Sequence, residues 1–338
     1  MGLDRGRATV TEQLHAGAVA IGRNEGERLR RCLESIRAQG IPAVYVDSGS
    51  SDGSVTLAHE LGAEILELDP SKSFSAARAR NEGAARLRES VEALRWVLFI
   101  DGDCELVDGF LDAAINALSS DESCAVVFGR RTERHPNASP YNLLCDIEWD
   151  GSPGEVTACG GDALMRASAF AAVEGFDPSF IGGEEPELCV RLRAAGWRIR
   201  RIAAPMTIHD AAMTRFSQWW RRAMRGGHAY AHGASRHGAP PERFRRSELR
   251  SLVFWGAGLP LLSLLALLLT GGGLWLLLLY PIQVLRVRRS SAARALPASS
   301  AWLYAASCVG SKFPEFFGAA KFYAGLLRGR KTELIEYK

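Results

Sequence analysis

From Ser251 to Leu285 the chain runs 35 positions without a charged residue, and no other feature restricts its fold as strongly. One straight helix of that length would extend roughly 52 Å at ~1.5 Å per residue, against a hydrocarbon core of about 30 Å. A single span therefore does not account for it. The triplet Gly271, Gly272, Gly273 is the natural break. Arg243, Arg245, Arg246 and Arg250 precede the stretch and Arg286, Arg288, Arg289 and Arg294 follow it. The positive-inside rule keeps both clusters cytoplasmic, which predicts a hairpin that enters the membrane and returns. Its second arm is short and holds Pro281, so a re-entrant or interfacial course is open for it. A buried helical hairpin of a water-soluble domain is the competing reading. Beyond the hairpin, Ser299–Leu327 combines Trp302, Tyr304, Phe313, Phe316, Phe317, Phe322 and Tyr323 with few charges. That composition suits the headgroup layer, with a further crossing as the alternative, and the polar end RGRKTELIEYK is expected in the cytosol.

The charges are divided along the chain. Overall, 41 Lys and Arg face 38 Asp and Glu. Residues 1–190 hold 17 basic and 32 acidic side chains, whereas residues 191–338 hold 24 and 6. Such asymmetry marks a polyanionic partner. The hydropathy selects an anionic membrane surface and leaves no reason to invoke nucleic acid. A hydrophobic content of 47% excludes a disordered chain. The N-terminus MGLDRGRATVTEQLHAGA lacks an apolar core, so no cleavable signal is expected and the acidic half is predicted to stay in the cytosol, against the inner membrane. Seven cysteines, odd in number and without a CxxC pair, read as reduced core residues. The expected organisation is a tail over 1–15, an α/β domain over 16–245 and a membrane region over 246–338.

Through the first 200 residues short apolar runs alternate with helical patterns. Ala18–Ile21, Ala43–Val46, Glu64–Leu68 and Trp96–Ile100 read as strands, and WVLFI has the unbroken apolarity of a strand buried on both faces. An open α/β sheet is predicted, with ligands beyond the carboxyl ends of its strands. There the acids lie. Asp47-Ser48-Gly49-Ser50-Ser51-Asp52 follows one strand and Asp101-Gly102-Asp103 another. Carboxylates separated by one small residue suit a hard divalent cation, Mg²⁺ or Mn²⁺, that keeps positions for phosphate. Alone, an Asp-x-Asp is a weak signal. Further on, Glu184-Glu185-Pro186-Glu187 opens a helix stopped by Gly196. Pro186 suits its first position, which leaves Glu185 just before the helix in extended geometry, aimed outward as a general base requires. The same acids, Glu184, Glu185 and Glu187, also complement the helix dipole, and spacing alone favours that reading over the base.

In combination these motifs resemble the family 2 glycosyltransferases of GT-A fold, over about residues 16–230. AVAIGRNEGERLRRCLESI is similar to their first strand and helix, YVDSGSSDGS to the nucleotide loop, FSAARARNEGA to the Ala-Arg-Asn helix, FIDGDCEL to the Asp-x-Asp site and GFDPSFIGGEEPELCVRLRAAGWRI to the acid motif. The resemblance implies a Rossmann-like mixed sheet, a nucleotide-diphosphate sugar donor and a bound Mg²⁺ or Mn²⁺. It implies Asn24, Glu25 and Asp52 at the nucleoside, Arg80 and Asn81 near the donor, and Asp101 on the ribose or sugar. Asp103 would ligate the metal and Glu185 would be the base, with Gly161, Asp162 and Glu184 about the donor diphosphate or acceptor. Two departures stand out. Gly22 and Arg23 occupy places where the family usually has Pro and an aromatic residue, so the preferred base is open, and Glu185 replaces the usual Asp.

His209 ends a later strand, and in similar enzymes a His there completes the metal site; a structural role is equally open. Gln218-Trp219-Trp220-Arg221-Arg222 partly matches a Gln-x-x-Arg-Trp motif, with Arg222 in place of its final Trp, which favours transfer of one sugar over processive extension. Gln218, Trp219 and Arg221 would then meet the acceptor, a lipid-linked or membrane-proximal saccharide. On the alternative reading they seat a helix on the membrane surface. His228-Ala229-Tyr230-Ala231-His232 lacks the Glu of zinc proteases, Leu106 replaces the Gly of a calcium loop, and no nucleotide P-loop or dinucleotide fingerprint is present. A phosphotransferase with Asp101 as nucleophile would expect Thr or Val where Glu105 stands. A membrane scaffold that keeps the fold without catalysis is the second functional reading.

Overall fold

The computed structural model describes residues 15–329. The expected tail, but for its last residue, and the polar end from residue 330 lie outside the described residues. Among the described residues nine strands form one mixed sheet: β1 (Ala16–Gly22), β2 (Ala43–Asp47), β3 (Glu64–Glu67), β4 (Trp96–Asp101), β5 (Cys104–Leu106), β6 (Cys124–Glu133), β7 (Gly154–Val156), β8 (Ala163–Arg166) and β9 (Arg198–His209). Their order is β3-β2-β1-β4-β8-β6-β9-β5, with β7 on β9. The β3-β2-β1-β4 half is parallel. Beyond it β8 runs antiparallel to both β4 and β6, while β6 and β9 are parallel.

Period-two alternation splits the apolar residues between two cores, one on each face of the sheet. Ala16, Ala18, Ala20, Trp96, Leu98 and Ile100 enter one core with Leu29, Leu33 and Ile36 of the helix Glu27–Ala38. Val19, Ile21, Val97 and Phe99 enter the other with Ala77, Ala84 and Leu87 of the helix Ala76–Ser90. WVLFI is thus covered on both faces, as its composition predicts. The chain leaves β1 toward β2 and β3, then returns to β4 on the other side of β1. That reversal opens a crevice at the carboxyl ends of β1 and β4, where Asp101 stands.

Two compact units divide the chain. One comprises the described residues up to Arg134 with Glu148–Phe180 and Glu184–Ala211. The other comprises His135–Ile147, Ile181–Gly183 and the described residues from Ala212 onward. The dividing point falls earlier than the expected 245/246 boundary, and close packing explains why. In the second unit the helices Phe216–His237 and Lys312–Leu327 press backbone on backbone: a Cβ at Gly227 would lie 1.9 Å from the Glu315 carbonyl oxygen, and one at Gly318 1.9 Å from that of Met224. Small residues at such a crossing are what allow the approach.

Arg246–Thr270 forms one helix of 25 residues, long and apolar enough to cross a membrane by length and composition. It contains a π-helical turn at Phe254–Gly258 and ends at Gly271, whose φ of 70° is the left-handed stop. The break at the glycine triplet is where the sequence predicts it. The second arm is shorter, a 3₁₀ turn Leu274–Leu278 followed by the helix Leu279–Ser290. Leu261, Leu262, Leu268, Leu269, Trp275 and Leu278 are all more than half exposed, an apolar surface of the kind that marks protein or membrane interaction sites.

Candidate active site

Arg80 is the hub of the crevice. It lies in the second turn of the helix Ala76–Ser90, begun by Ser75, whose hydroxyl accepts from the Arg78 amide. The residue is 2% exposed. Nη2 donates to Asp101 Oδ1 at 2.8 Å, and Nη1 reaches Glu184 Oε1 at 2.9 Å and Glu185 Oε1 at 3.1 Å. The ring of Phe176 packs against it at 5.5 Å. One buried cation therefore joins the carboxyl end of β4 to the acid motif. Arg131, from β6, completes the arrangement on the other side: it holds Asp162 Oδ2 at 2.8 Å and Asp101 Oδ2 at 3.2 Å. Asp162 also accepts from the Asp101 amide and the Thr207 hydroxyl. Gly161 passes directly over this pair of charges, and a Cβ there would come within 2.8 Å of both Arg80 Nη2 and Asp101 Oδ2.

Four carboxylates thus share two guanidinium groups. Burial and the adjacent Glu184 push the Glu185 carboxyl up to about 7, against the opposing pull of Arg80. A carboxyl with that value is poised for proton transfer near neutral pH. The helix begins at Glu184, two residues earlier than the sequence predicts, so Glu185 is helical and not extended. A proline is tolerated there because first-turn amides have no intrahelical acceptor to lose. Gly196, with φ 88°, supplies the expected stop.

Asp103 and His209 meet because β5 pairs antiparallel with β9, placing Cys104 opposite His209. His209 Nε2 lies 3.2 Å from Asp103 Oδ2, and both side chains are buried. Burial holds the imidazole below its ordinary value, so it is neutral and able to ligate. A carboxylate oxygen and an imidazole nitrogen converging in a buried site form a donor set acceptable to Mn²⁺. The edge of Trp149 closes one side, 4.6 Å from the His209 ring.

The nucleotide loop is held internally. Buried Asp47 accepts from the Tyr45 hydroxyl and from the amides of Gly49 and Ser50. Asn24 accepts from the Ser51 amide while its own amide donates to Ser50, and Asp52 accepts from the Ser54 amide and hydroxyl, leaving Asp52 exposed at the rim. Glu25 pairs with Arg28 at 2.9 Å. Asn81 turns away from Arg80 and clamps the acid-motif loop, accepting from the Phe176 amide and donating to its carbonyl. Gln218, Trp219 and Arg221 lie in the second unit. Gln218 accepts from the amides of Thr214 and Arg215, the Trp219 indole donates to Ser307, and Arg221 donates to the Ser217 carbonyl. Arg131, Glu133 and Trp149 escape sequence reasoning. The only signal is the abrupt RRTE that ends the apolar run CAVVFG of β6, where residues 131 and 133 share a face.

Residues 19–172 match the sequence model of glycosyl transferase family 2. Over that stretch the α/β unit is similar to the family 2 glycosyltransferases, and its mixed sheet is that of the GT-A fold. The chain is 30% identical over 192 residues to the succinoglycan biosynthesis protein ExoA of Rhizobium meliloti, a stretch covering 52% of this chain and 57% of that protein. It is 28% identical over 262 residues to the O-antigen chain rhamnosyltransferase RfbN of Salmonella typhimurium, covering 69% and 81%. Among solved structures, the mannosyltransferase PcManGT of Pyrobaculum calidifontis, in complex with GDP-Man and Mn²⁺, superposes with a TM-score of 0.57 at 18% identity over 91% of this chain and 87% of that one. The match to ExoA spans little more than half of its length.

Proposed function

We propose that the chain is a membrane-attached inverting glycosyltransferase that moves one sugar from a nucleotide-diphosphate donor to a hydroxyl of a lipid-linked or membrane-proximal saccharide, in cell-surface or exopolysaccharide synthesis. The observation that carries this reading is the buried Arg80, which ties Asp101 to Glu184 and Glu185 in one crevice. Asp103 and His209 would hold the divalent metal. When bound, that ion stabilises the charge on the departing nucleotide diphosphate. Glu185 takes the proton of the attacking hydroxyl, and single displacement inverts the anomeric centre. Asp101, oriented by Arg80 and Arg131, faces the ribose or sugar, while Asn24, Glu25 and Asp52 shape the nucleoside end. Arg80 keeps Glu185 ionisable, because without it burial would hold the carboxyl protonated further above neutrality.

The helix Arg246–Thr270 supports attachment to an anionic inner membrane with the α/β unit in the cytoplasm, and Arg286, Arg288 and Arg289 follow at the end of the second arm. Exposed Trp302, Phe317 and Tyr323 fit the headgroup layer. The test is release of nucleoside diphosphate from a panel of nucleotide sugars with Mn²⁺ or Mg²⁺ and membrane extract as acceptor. Turnover that disappears in Glu185→Gln with the fold intact supports the enzyme. A lack of turnover with every donor, alongside retained nucleotide binding, would favour the non-catalytic scaffold.

A further inference from the structure

We propose that Glu133 is a positioning residue for the metal centre, fixing the tautomer and plane of His209 so that its Nε2 lone pair faces Asp103. The inference rests on the reading of Asp103 and His209 as metal ligands. Glu133 ends β6, and its parallel pairing with β9 sets it directly opposite His209. Its side chain is fully buried, and Oε2 lies 3.5 Å from His209 Nδ1 while accepting the Ala211 amide at 3.1 Å. The imidazole therefore stands between two carboxylates, Asp103 on Nε2 and Glu133 on Nδ1.

A ring that ligates through Nε2 carries its proton on Nδ1, and among the described residues the acid facing Nδ1 is Glu133. With the proton there, two lone-pair groups, Asp103 Oδ2 and His209 Nε2, oppose each other at 3.2 Å. A cation between them relieves that opposition. The opposite tautomer would turn N–H toward Asp103 and occupy the ligating position with a proton. Glu133 thus selects the ring form that accepts metal, and Trp149, edge-on at 4.6 Å, limits rotation of the ring. The Ala211 amide bond fixes Glu133 in turn, so strand pairing and ligand orientation are set together.

The experiment titrates Mn²⁺ into purified full-length protein in detergent, with UDP or GDP present, and reads free Mn²⁺ by electron paramagnetic resonance. Glu133→Ala is expected to weaken Mn²⁺ binding about 10- to 100-fold, and Glu133→Gln, which retains an acceptor oxygen, to lose less. In a His209→Ala background the same Glu133→Ala change is expected to cost less than about threefold. Equal losses in both backgrounds would show that Glu133 acts through the fold and not through His209. Undiminished binding by folded Glu133→Ala would overturn the assignment while leaving the metal site standing. If the wild type binds no Mn²⁺ with either nucleotide, the metal reading itself fails and takes this inference with it.

Discussion

Glu185 holds its proton up to about pH 7 because burial and the neighbouring Glu184 both oppose its charge. The acidic limb of kcat/KM is therefore expected near 7, and Glu184→Gln, by removing the adjacent negative charge, should move it downward. A limb unchanged in Glu184→Gln would count against that coupling. The sign for stability is the reverse of the usual carboxylate. Since the folded value is raised, the stability contribution is full below the ordinary value of 4.5 and is lost as pH rises through about 7. Glu185→Gln should thus melt higher than wild type at pH 8 while its turnover falls about 10²- to 10⁴-fold. Calorimetry at pH 5 and pH 8 beside a donor assay checks both halves.

At the scale of elements, the Ala76–Ser90 helix and the acid-motif helix Glu184–Ala194 depend on each other through Arg80. Arg80→Met would leave Asp101, Glu184 and Glu185 without their shared cation. A loss of about 3 to 5 kcal/mol is expected, measured by denaturant unfolding, together with loss of donor turnover. Gly161→Ala should displace the loop over Arg80 and Asp101, and weaken donor affinity more than it lowers the melting temperature. Much of this region was legible beforehand. WVLFI followed by Asp101-Gly102-Asp103 marks a buried strand delivering acids to its end, a pattern that is local in sequence. What stayed hidden depends on pairing across distance. Glu133 meets His209 because β6 lies beside β9, and Arg131 reaches Asp162 and Asp101 from the side of β6 that borders β8; no short-range periodicity encodes either neighbour. The helix starts at Glu184 and not at Pro186 because a proline fits any position of a first turn, not the first alone. Asn81 follows Arg80 in sequence, yet one step along a helix turns it about 100° away, toward Phe176.

For the whole molecule, an acidic α/β unit and a basic, apolar helical unit divide the labour. The Arg246–Thr270 helix would span about 37 Å at 1.5 Å per residue, enough for the hydrocarbon core. The protein should therefore sediment with membranes, resist carbonate extraction and dissolve in detergent. Release by carbonate would restrict it to the surface. The central claim, a metal-held nucleotide-diphosphate donor at Asp103, is tested most directly by thermal unfolding in detergent with a panel of nucleoside diphosphates plus Mn²⁺, Mg²⁺ or chelator. Wild type should be stabilised by about 2.7 kcal/mol at a hundredfold excess over Kd, with one nucleotide preferred and the effect lost in chelator and in Asp103→Ala. Stabilisation that is unchanged by chelator and by Asp103→Ala, or none with any nucleotide at millimolar concentration, would contradict the account.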